Sequence, residues 1–217
     1  MIPGLGAGAL LAASPGRLFA EQAGRGSFSL SVVTDQPDKA ISLVQKFLKG
    51  MLKAQGNINY SEYILHGSHI ADIVYTQSGQ LVDFYRNKGS VNDALRSMAD
   101  NLDLPRACSN PVLCHFSINK GMQKPKGFRV FKDNVLILEK TFPEKSETFV
   151  LNGVQGRFAL EAAEDHSVRF VEASCRHKTC MSMGSISQAG QNLVCVPNRI
   201  TVSISGTNLS NVDSITF

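Results

Sequence analysis

The chain has 217 residues, enough for one large domain or two small ones that each bury a core. Hydrophobic residues make up 43% of it and charged residues 18%, a composition that excludes extended disorder. The net charge of +4 is concentrated outside the two predicted domains, in four residues: Arg17, Lys120, Lys124 and Lys126. Because neither domain is basic, the composition excludes the usual footprint of a nucleic-acid partner.

The first twenty residues are typical of the end of a secretory signal. An apolar, Gly- and Ala-rich run at 2–13 precedes a small-residue segment that ends at Ala20, the predicted cleavage point. The run is too short to span a membrane, so the mature chain is predicted to have no transmembrane span. No positively charged region precedes the run. The run therefore resembles the downstream part of a twin-arginine signal, whose arginine pair would lie before Met1. In that case Met1 is internal to a longer signal, and we expect an exported, periplasmic or extracytoplasmic bacterial protein.

Residues 27–118 are predicted to form a layered α+β domain with the order β-α-β-β-β-α-β. Phe28–Val32 alternates apolar residues with serines and is predicted to be a half-buried strand. One helix is predicted to start at an Asp35 cap and run to about Ala54, and another to start at a capping box of Ser90 and Asp93. The other strands are predicted at Tyr60–Leu65, Ile70–Tyr75, Leu81–Tyr85 and Val112–Ser117, with a turn at 77–80.

Two residue pairs in this half flank predicted turns. Cys108 and Cys114 lie on either side of a Ser-Asn-Pro turn sequence, which predicts a structural disulfide across it, with inert buried thiols as the alternative. His66 and His69 flank Gly67 and an adjacent serine, a hairpin sequence. Both histidines are therefore expected on a surface turn, with a metal-binding pair as the alternative.

Residues 119–127 are polar, basic and interrupted by Gly and Pro, and are predicted to be the linker between domains. From residue 128 to 217, short apolar segments recur with turn sequences between them, which predicts a small all-β sandwich or barrel. Only the region 182–189 is predicted to hold a helical turn. The strands are expected at 128–131, 135–139, 148–151, 157–161, 168–173, 193–196 and 199–204.

The candidate site lies between Cys175 and Pro197, where three of the five cysteines are found. The first interpretation is structural: two of Cys175, Cys180 and Cys195 form a disulfide and the third thiol stays buried or free. The second is thiol-redox chemistry, since the positive charge of Arg176, His177 and Lys178 would lower the pKa of the adjacent thiols.

The third interpretation is a metal site. Zinc could be held by the three cysteines together with His177. Alternatively, Cys180, Met181 and Met183 could offer soft sulfur ligands to Cu(I), although methionines more often pack in a core. No motif predicts a cofactor, and the absence of C-x-x-C-H excludes the usual haem attachment.

The segment from Val168 to Ile204 resembles the NusG domain II family. That family's pattern is a Cys, four residues, a second Cys, a Gly-containing stretch and a Cys-x-Pro-Asn turn. The matching residues here are Cys175, Cys180, Gly184, Gly190, Cys195, Pro197 and Asn198. The resemblance implies a small β domain over about 128–217, of a kind found in exported or membrane-anchored bacterial proteins, and no established activity.

No motif of an enzyme is present: the chain has no G-x-S-x-G, no phosphate-binding Gly-Lys-Ser/Thr loop and no H-E-x-x-H. The sequence therefore favours a non-enzymatic accessory or binding protein of the cell envelope with an unidentified protein partner. The alternative is a thiol-redox, electron-transfer or metal-handling protein that uses the cysteine cluster directly.

Overall fold

A computed structural model describes residues 28–52, 57–119 and 124–207. These residues form a mixed, mostly β structure whose strands pair antiparallel throughout. The predicted signal, 1–20, lies outside them. The strands are β1 (Phe28–Thr34), β2 (Asn57–Ile64), β3 (Ser68–Gln77), β4 (Gln80–Leu81), β5 (Arg106–Ser109), β6 (Val112–Asn119), β7 (Lys124–Lys132), β8 (Val135–Thr141), β9 (Glu147–Asn152), β10 (Arg157–Ala162), β11 (Val168–Ala173), β12 (Ser185–Ile186), β13 (Asn192–Cys195) and β14 (Ile200–Thr207); the helices are α1 (Pro37–Gly50), α2 (Ser90–Asn101) and α3 (Thr179–Ser182).

The first half contains a six-stranded sheet in the order β2-β6-β1-β3-β4, with β5 paired to β3. The predicted turn at 77–80 is confirmed: Ser78 and Gly79 both have positive φ, as a tight two-residue hairpin requires. The strand expected at Leu81–Tyr85 is reduced to the two residues of β4. Strand β5 was not predicted.

Both predicted helices exist, but their first residues differ from the prediction. α1 begins at Pro37 after Gln36, and no side chain caps it. Proline suits this position because its missing N–H would have no partner in the first turn. α2 begins at Ser90, and the backbone N–H of Asp93 donates to the carbonyl oxygen of Gly89 at 2.8 Å. The N-cap is therefore Gly89, and Ser90 is the first residue of the helix. The predicted capping box of Ser90 and Asp93 is wrong.

Strand β1 is buried on both faces, not half buried as its alternation predicted. Its apolar residues share a core with α1, α2, β3 and β6. On its other face Ser29 and Ser31 are only 2% and 6% exposed. Ser29 Oγ lies 2.6 Å from Thr76 Oγ1, and Ser31 Oγ lies 2.8 Å from His115 Nδ1. These side chains hydrogen-bond to one another between neighbouring strands, so the buried serines do not need water as a hydrogen-bond partner.

The predicted disulfide between Cys108 and Cys114 is absent, and both thiols are free and buried. The Ser-Asn-Pro sequence between them does not reverse the chain. Instead, β5 and β6 follow one another alongside β3 and β2, with Cys108 opposite His69 and Cys114 opposite Glu62. Six residues of extended chain span about 20 Å, far more than the Cα separation that a disulfide bridges.

The second half contains two four-stranded sheets, β12-β11-β10-β9 and β13-β14-β7-β8. Every strand predicted there is present within a few residues. Strands occupy both ends of the predicted linker, because Asn119 belongs to β6 and Lys124 begins β7. The helical turn expected at 182–189 is shifted, with α3 before it and β12 inside it.

The core of the second half also takes residues from the first. Leu65 and Leu113 are buried among the side chains of β7, β10 and β14. The division into domains at 27–118 and 128–217 stays a prediction. In the described part of the chain, no helix is both long enough and apolar enough to cross a bilayer.

Candidate metal centre

Three cysteines from separate places in the chain meet in the core of the second half. Cys175 follows β11, Cys180 lies in α3 and Cys195 ends β13. Because β11 and β13 belong to different sheets, the segment between them crosses from one sheet to the other. The short helix α3 contacts both strands, which brings Cys180 between the other two cysteines.

The three sulfur atoms lie within 4.8 Å of one another. The Sγ atoms of Cys175 and Cys195 are 3.6 Å apart. The three residues are 3%, 2% and 1% exposed in sequence order. Among the described residues, no histidine, aspartate or glutamate offers a ligand atom to this group.

Two turns place backbone N–H donors on the sulfurs. The backbone N–H of Lys178 donates to Cys175, and that of Asn198 donates to Cys195, each from three residues further along the chain. The side-chain Nδ2 of Asn198 also donates to the Sγ of Cys195, at 3.5 Å. Lys178 adopts a positive φ of 51° within its turn. Donors aimed at sulfur stabilise thiolates, the form of cysteine that binds metals.

The pKa values of the three thiols diverge. The pKa of Cys195 is lowered, first because Cys180 donates a hydrogen bond to it and then because Asn198 does. The pKa of Cys180 is raised, because that hydrogen bond and burial both hold its proton. Burial and the neighbouring Cys195 raise the pKa of Cys175. Without a metal ion, the cluster thus concentrates thiolate character on Cys195.

This pattern contradicts the prediction that the Arg-His-Lys triplet lowers the pKa of Cys175 and Cys180. Both pKa values are raised: that of Cys175 first by burial, and that of Cys180 first by its hydrogen bond to Cys195 and then by burial. The side chains of Arg176 and Lys178 are exposed to solvent, which screens their charge. The contribution of Lys178 comes from its backbone N–H instead.

The predicted four-ligand zinc set is reduced to its three cysteines. His177 does not join the cluster; its ring packs against that of His69, with 5.0 Å between centroids. His69 is 5% exposed, so its expected surface position is wrong, and its Nδ1 lies 3.3 Å from Thr179 Oγ1. The loop between Cys175 and Cys180 therefore contacts the start of β3.

The two methionines behave as core residues. Met183 is buried in the second core, and Met181 packs against it from a half-buried position. Core packing was the predicted alternative to a role for these methionines as Cu(I) ligands.

Asn198 connects the cluster to the turn between β9 and β10. It is fully buried, and its Oδ1 accepts a hydrogen bond from the backbone N–H of Gln155 at 3.0 Å. Its carbonyl oxygen accepts another from Val154 at 3.2 Å. A Cβ on Gly153 would lie 2.5 Å from Oδ1, so this position needs glycine. The predicted motif turn at Pro197 and Asn198 is present. Its contact with Cys195 was not predicted, although the Cys-x-Pro-Asn spacing places the two residues one turn apart.

The cluster geometry suits a metal ion. Four thiolates at zinc–sulfur distances of about 2.3 Å place neighbouring sulfurs about 3.8 Å apart, close to the observed separation of Cys175 and Cys195. A disulfide needs about 2.05 Å. All five cysteines are free thiols in the structure, so the structural disulfide expected among Cys175, Cys180 and Cys195 is absent.

Comparisons with known proteins match only part of the chain. The sequence profile of NusG domain II matches residues 108–208. The chain is similar to the crystal structure of the Lin0431 protein from Listeria innocua, with 22% identity over 38% of this chain and 97% of that one and a TM-score of 0.35. A DUF1312 family protein from Ruminococcus gnavus shows 23% identity over 37% and 97%, with a TM-score of 0.32.

No curated protein matches the chain. The profile match starts twenty residues earlier than the resemblance predicted, at Cys108 rather than at Phe128, and so includes the end of β5 and all of β6. It covers all three cysteines of the cluster and the Pro197–Asn198 turn. The chain therefore carries a NusG domain II-like region over residues 108–208.

Proposed function

We propose that this protein is a non-enzymatic accessory protein of the bacterial cell envelope whose NusG domain II-like region binds a thiophilic metal ion. Cys175, Cys180 and Cys195 are the ligands. In this proposal the first half is a layered α+β domain and the second a small β sandwich. The observation that carries the metal site is the convergence of three buried sulfurs within 4.8 Å, two of which accept backbone N–H bonds.

A metal ion accounts for three convergent thiols better than a disulfide does. A disulfide joins two sulfurs and leaves the third buried without a bonding partner, whereas a metal ion engages all three. The N–H donors of Lys178 and Asn198 supply the outer-shell hydrogen bonds that orient metal ligands. Burial of all three thiols supports binding rather than turnover, because a substrate would have no access to them.

Export is supported by the apolar run at 2–13 and the small-residue segment that ends at Ala20. The absence of enzyme motifs supports an accessory role, and an unidentified protein of the envelope would be the partner.

The test is intact mass with thiol alkylation, before and after reduction, on protein kept metal-replete, with metal quantified on the same sample. We expect one equivalent of metal and protection of three thiols that chelation makes reactive. Metal-free protein that contains a disulfide between two of the three cysteines would contradict the proposal.

Thiol-redox chemistry is a second candidate, favoured by the 3.6 Å separation of the Cys175 and Cys195 sulfurs. Disulfide formation between them would release two electrons and two protons to a partner disulfide, which becomes a dithiol. The same mass measurement after incubation with an oxidised dithiol tests it: a loss of two hydrogens from the chain supports exchange, and an unchanged mass contradicts it.

A further inference from the structure

We infer from the ligand set that the ion of this cluster is monovalent copper, Cu(I), rather than zinc. This inference rests on the function proposed above, because it assigns the ion to the same three cysteines. It follows from the number, the chemistry and the burial of the ligands.

The number of ligands favours an ion that accepts low coordination. Structural zinc is almost always bound by four protein ligands in a tetrahedron. In the described residues, no histidine or carboxylate ligand atom joins Cys175, Cys180 and Cys195, and the expected fourth ligand, His177, packs against His69. Cu(I) is a soft ion that is stable with sulfur ligands alone and in three-coordinate sites.

The surroundings of the cluster also disfavour a water molecule as fourth ligand. The three cysteines are at most 3% exposed, and apart from Asn198, whose Nδ2 already donates to Cys195, they lie among the apolar side chains of the second core, Met183 included. A buried water needs polar partners to hold it. If a further ligand came from this core, it would be a thioether, which again suits Cu(I) better than zinc.

The negative charge of a Cu(I)–thiolate group is offset by hydrogen bonds. The backbone N–H of Lys178 reaches Cys175, and Asn198 gives both its backbone and its side-chain N–H to Cys195. Hydrogen bonds to charged groups are about twice as strong as neutral ones, which makes the buried charge tolerable.

The test uses the full chain, reduced with a non-chelating phosphine under anaerobic conditions. Cu(I) is supplied as its bicinchoninate complex, whose loss of colour reports transfer, and zinc is titrated with a colorimetric indicator. We expect one equivalent of Cu(I), retained against excess zinc, and a copper absorption-edge spectrum with sulfur neighbours alone. If zinc binds with one equivalent and Cu(I) fails to displace it, the copper assignment is overturned while the metal site stands. If neither ion binds, the proposed function falls with it.

Matched variants locate the ion. Cys180→Ser should weaken Cu(I) binding at least as much as the loss of an outer-shell partner does, which is about 10–100-fold. Cys108→Ser and Cys114→Ser remove buried thiols of the first core and should leave Cu(I) affinity unchanged. Loss of Cu(I) in these control variants, with folding intact by circular dichroism, would place the ion elsewhere and overturn the assignment. If Cys180→Ser does not fold, unchanged Cu(I) affinity in Cys108→Ser and Cys114→Ser still assigns the ion to the other three cysteines.

Discussion

His115 shows how burial without a charged partner changes the proton affinity of a single side chain. It lies on β6, opposite Ser31 of β1 and Ser61 of β2, and its Nδ1 is 2.8 Å from Ser31 Oγ. Burial lowers the pKa of His115 to about 4, from an ordinary value of 6.5. The folded protein therefore binds fewer protons at this residue than the unfolded chain does at mildly acidic pH.

We expect the free energy of unfolding to fall as pH drops from about 6.5 towards 4. A group whose pKa is depressed on folding binds its proton more readily when unfolded, so its contribution is complete above the unfolded pKa. The lowering of the pKa of His115 from 6.5 to about 4 corresponds to roughly 3 kcal/mol. Urea denaturation of the wild-type protein and of His115→Gln, across this pH range, measures the effect.

The Gln variant removes the titrating ring and keeps a hydrogen-bond partner for Ser31, so its stability should depend less on pH. His166→Gln, at an exposed turn, is the matched control for the replacement of a histidine by glutamine. Parallel pH curves for the wild-type protein and His115→Gln would contradict the prediction.

At the scale of elements, two turns from different sheets hold each other in place. The turn between β9 and β10 contains Gly153, and that between β13 and β14 contains Asn198, whose side chain lies where a Cβ on Gly153 would be. Because Asn198 also donates to Cys195, the position of the first turn affects the cysteine cluster.

Gly153→Ala should destabilise the protein by about 1–3 kcal/mol, the usual cost of forcing extra volume into a packed site. It should also lower metal affinity, since the added methyl group displaces Asn198 from Cys195. Thermal melting and metal titration measure the two effects. Gly50→Ala is the control, because a Cβ there meets nothing within 4 Å. Equal melting temperatures for Gly153→Ala and Gly50→Ala would contradict the prediction, because the side chain of Asn198 would then move aside without loss of stability.

Elements were predictable where the signal is local. Alternation and turn residues gave the strands of the second half, and the positive φ values of Asp133, Asn134 and His166 fall in predicted turn sequences. Elements that depend on distant partners were not predictable. Strand β5 exists because β3 extends past β1 and offers it an edge, and the burial of Ser29 depends on Thr76 of β3.

The candidate site was predictable in its residues but not in its arrangement. The spacing of Cys175, Cys180 and Cys195 indicated a shared site, yet only the crossing from one sheet to the other decides which groups converge there. The sequence placed His177 next to the thiols, and the fold turns its ring towards His69 instead. The prediction from neighbouring charges likewise overestimated the effect of Arg176 on the pKa of the thiols, because solvent screens the charge of an exposed side chain.

At the scale of the whole molecule, β6 contributes to two cores from its two faces. Ile118 points into the core that contains α1 and α2, and Leu113 points into the core that contains the cysteine cluster. Each is 1% exposed. A single strand thus links the packing of both halves.

We expect Leu113→Ala to destabilise the second core by about 2–5 kcal/mol, through lost contacts and the cavity that remains. Hydrogen exchange followed by mass spectrometry should show faster exchange in β10 and β11, with α1 little changed. Ile118→Ala is the matched variant on the same strand and should show the reverse distribution. An equal rise in both regions for both variants would show that the halves unfold as one unit.

The placement of Leu65 and Leu113 in the second core bears on where this protein can be cut. A recombinant fragment that started at the composition break near residue 128 would lack both leucines and expose the apolar surface that they cover. The profile match begins at Cys108, upstream of β6, and a fragment with that boundary would keep Leu113 but lose Leu65. The segment that the family profile matches is therefore smaller than the segment that completes the second core. Soluble expression of the second half calls for the chain from β2 to β3, which carries Leu65, as well.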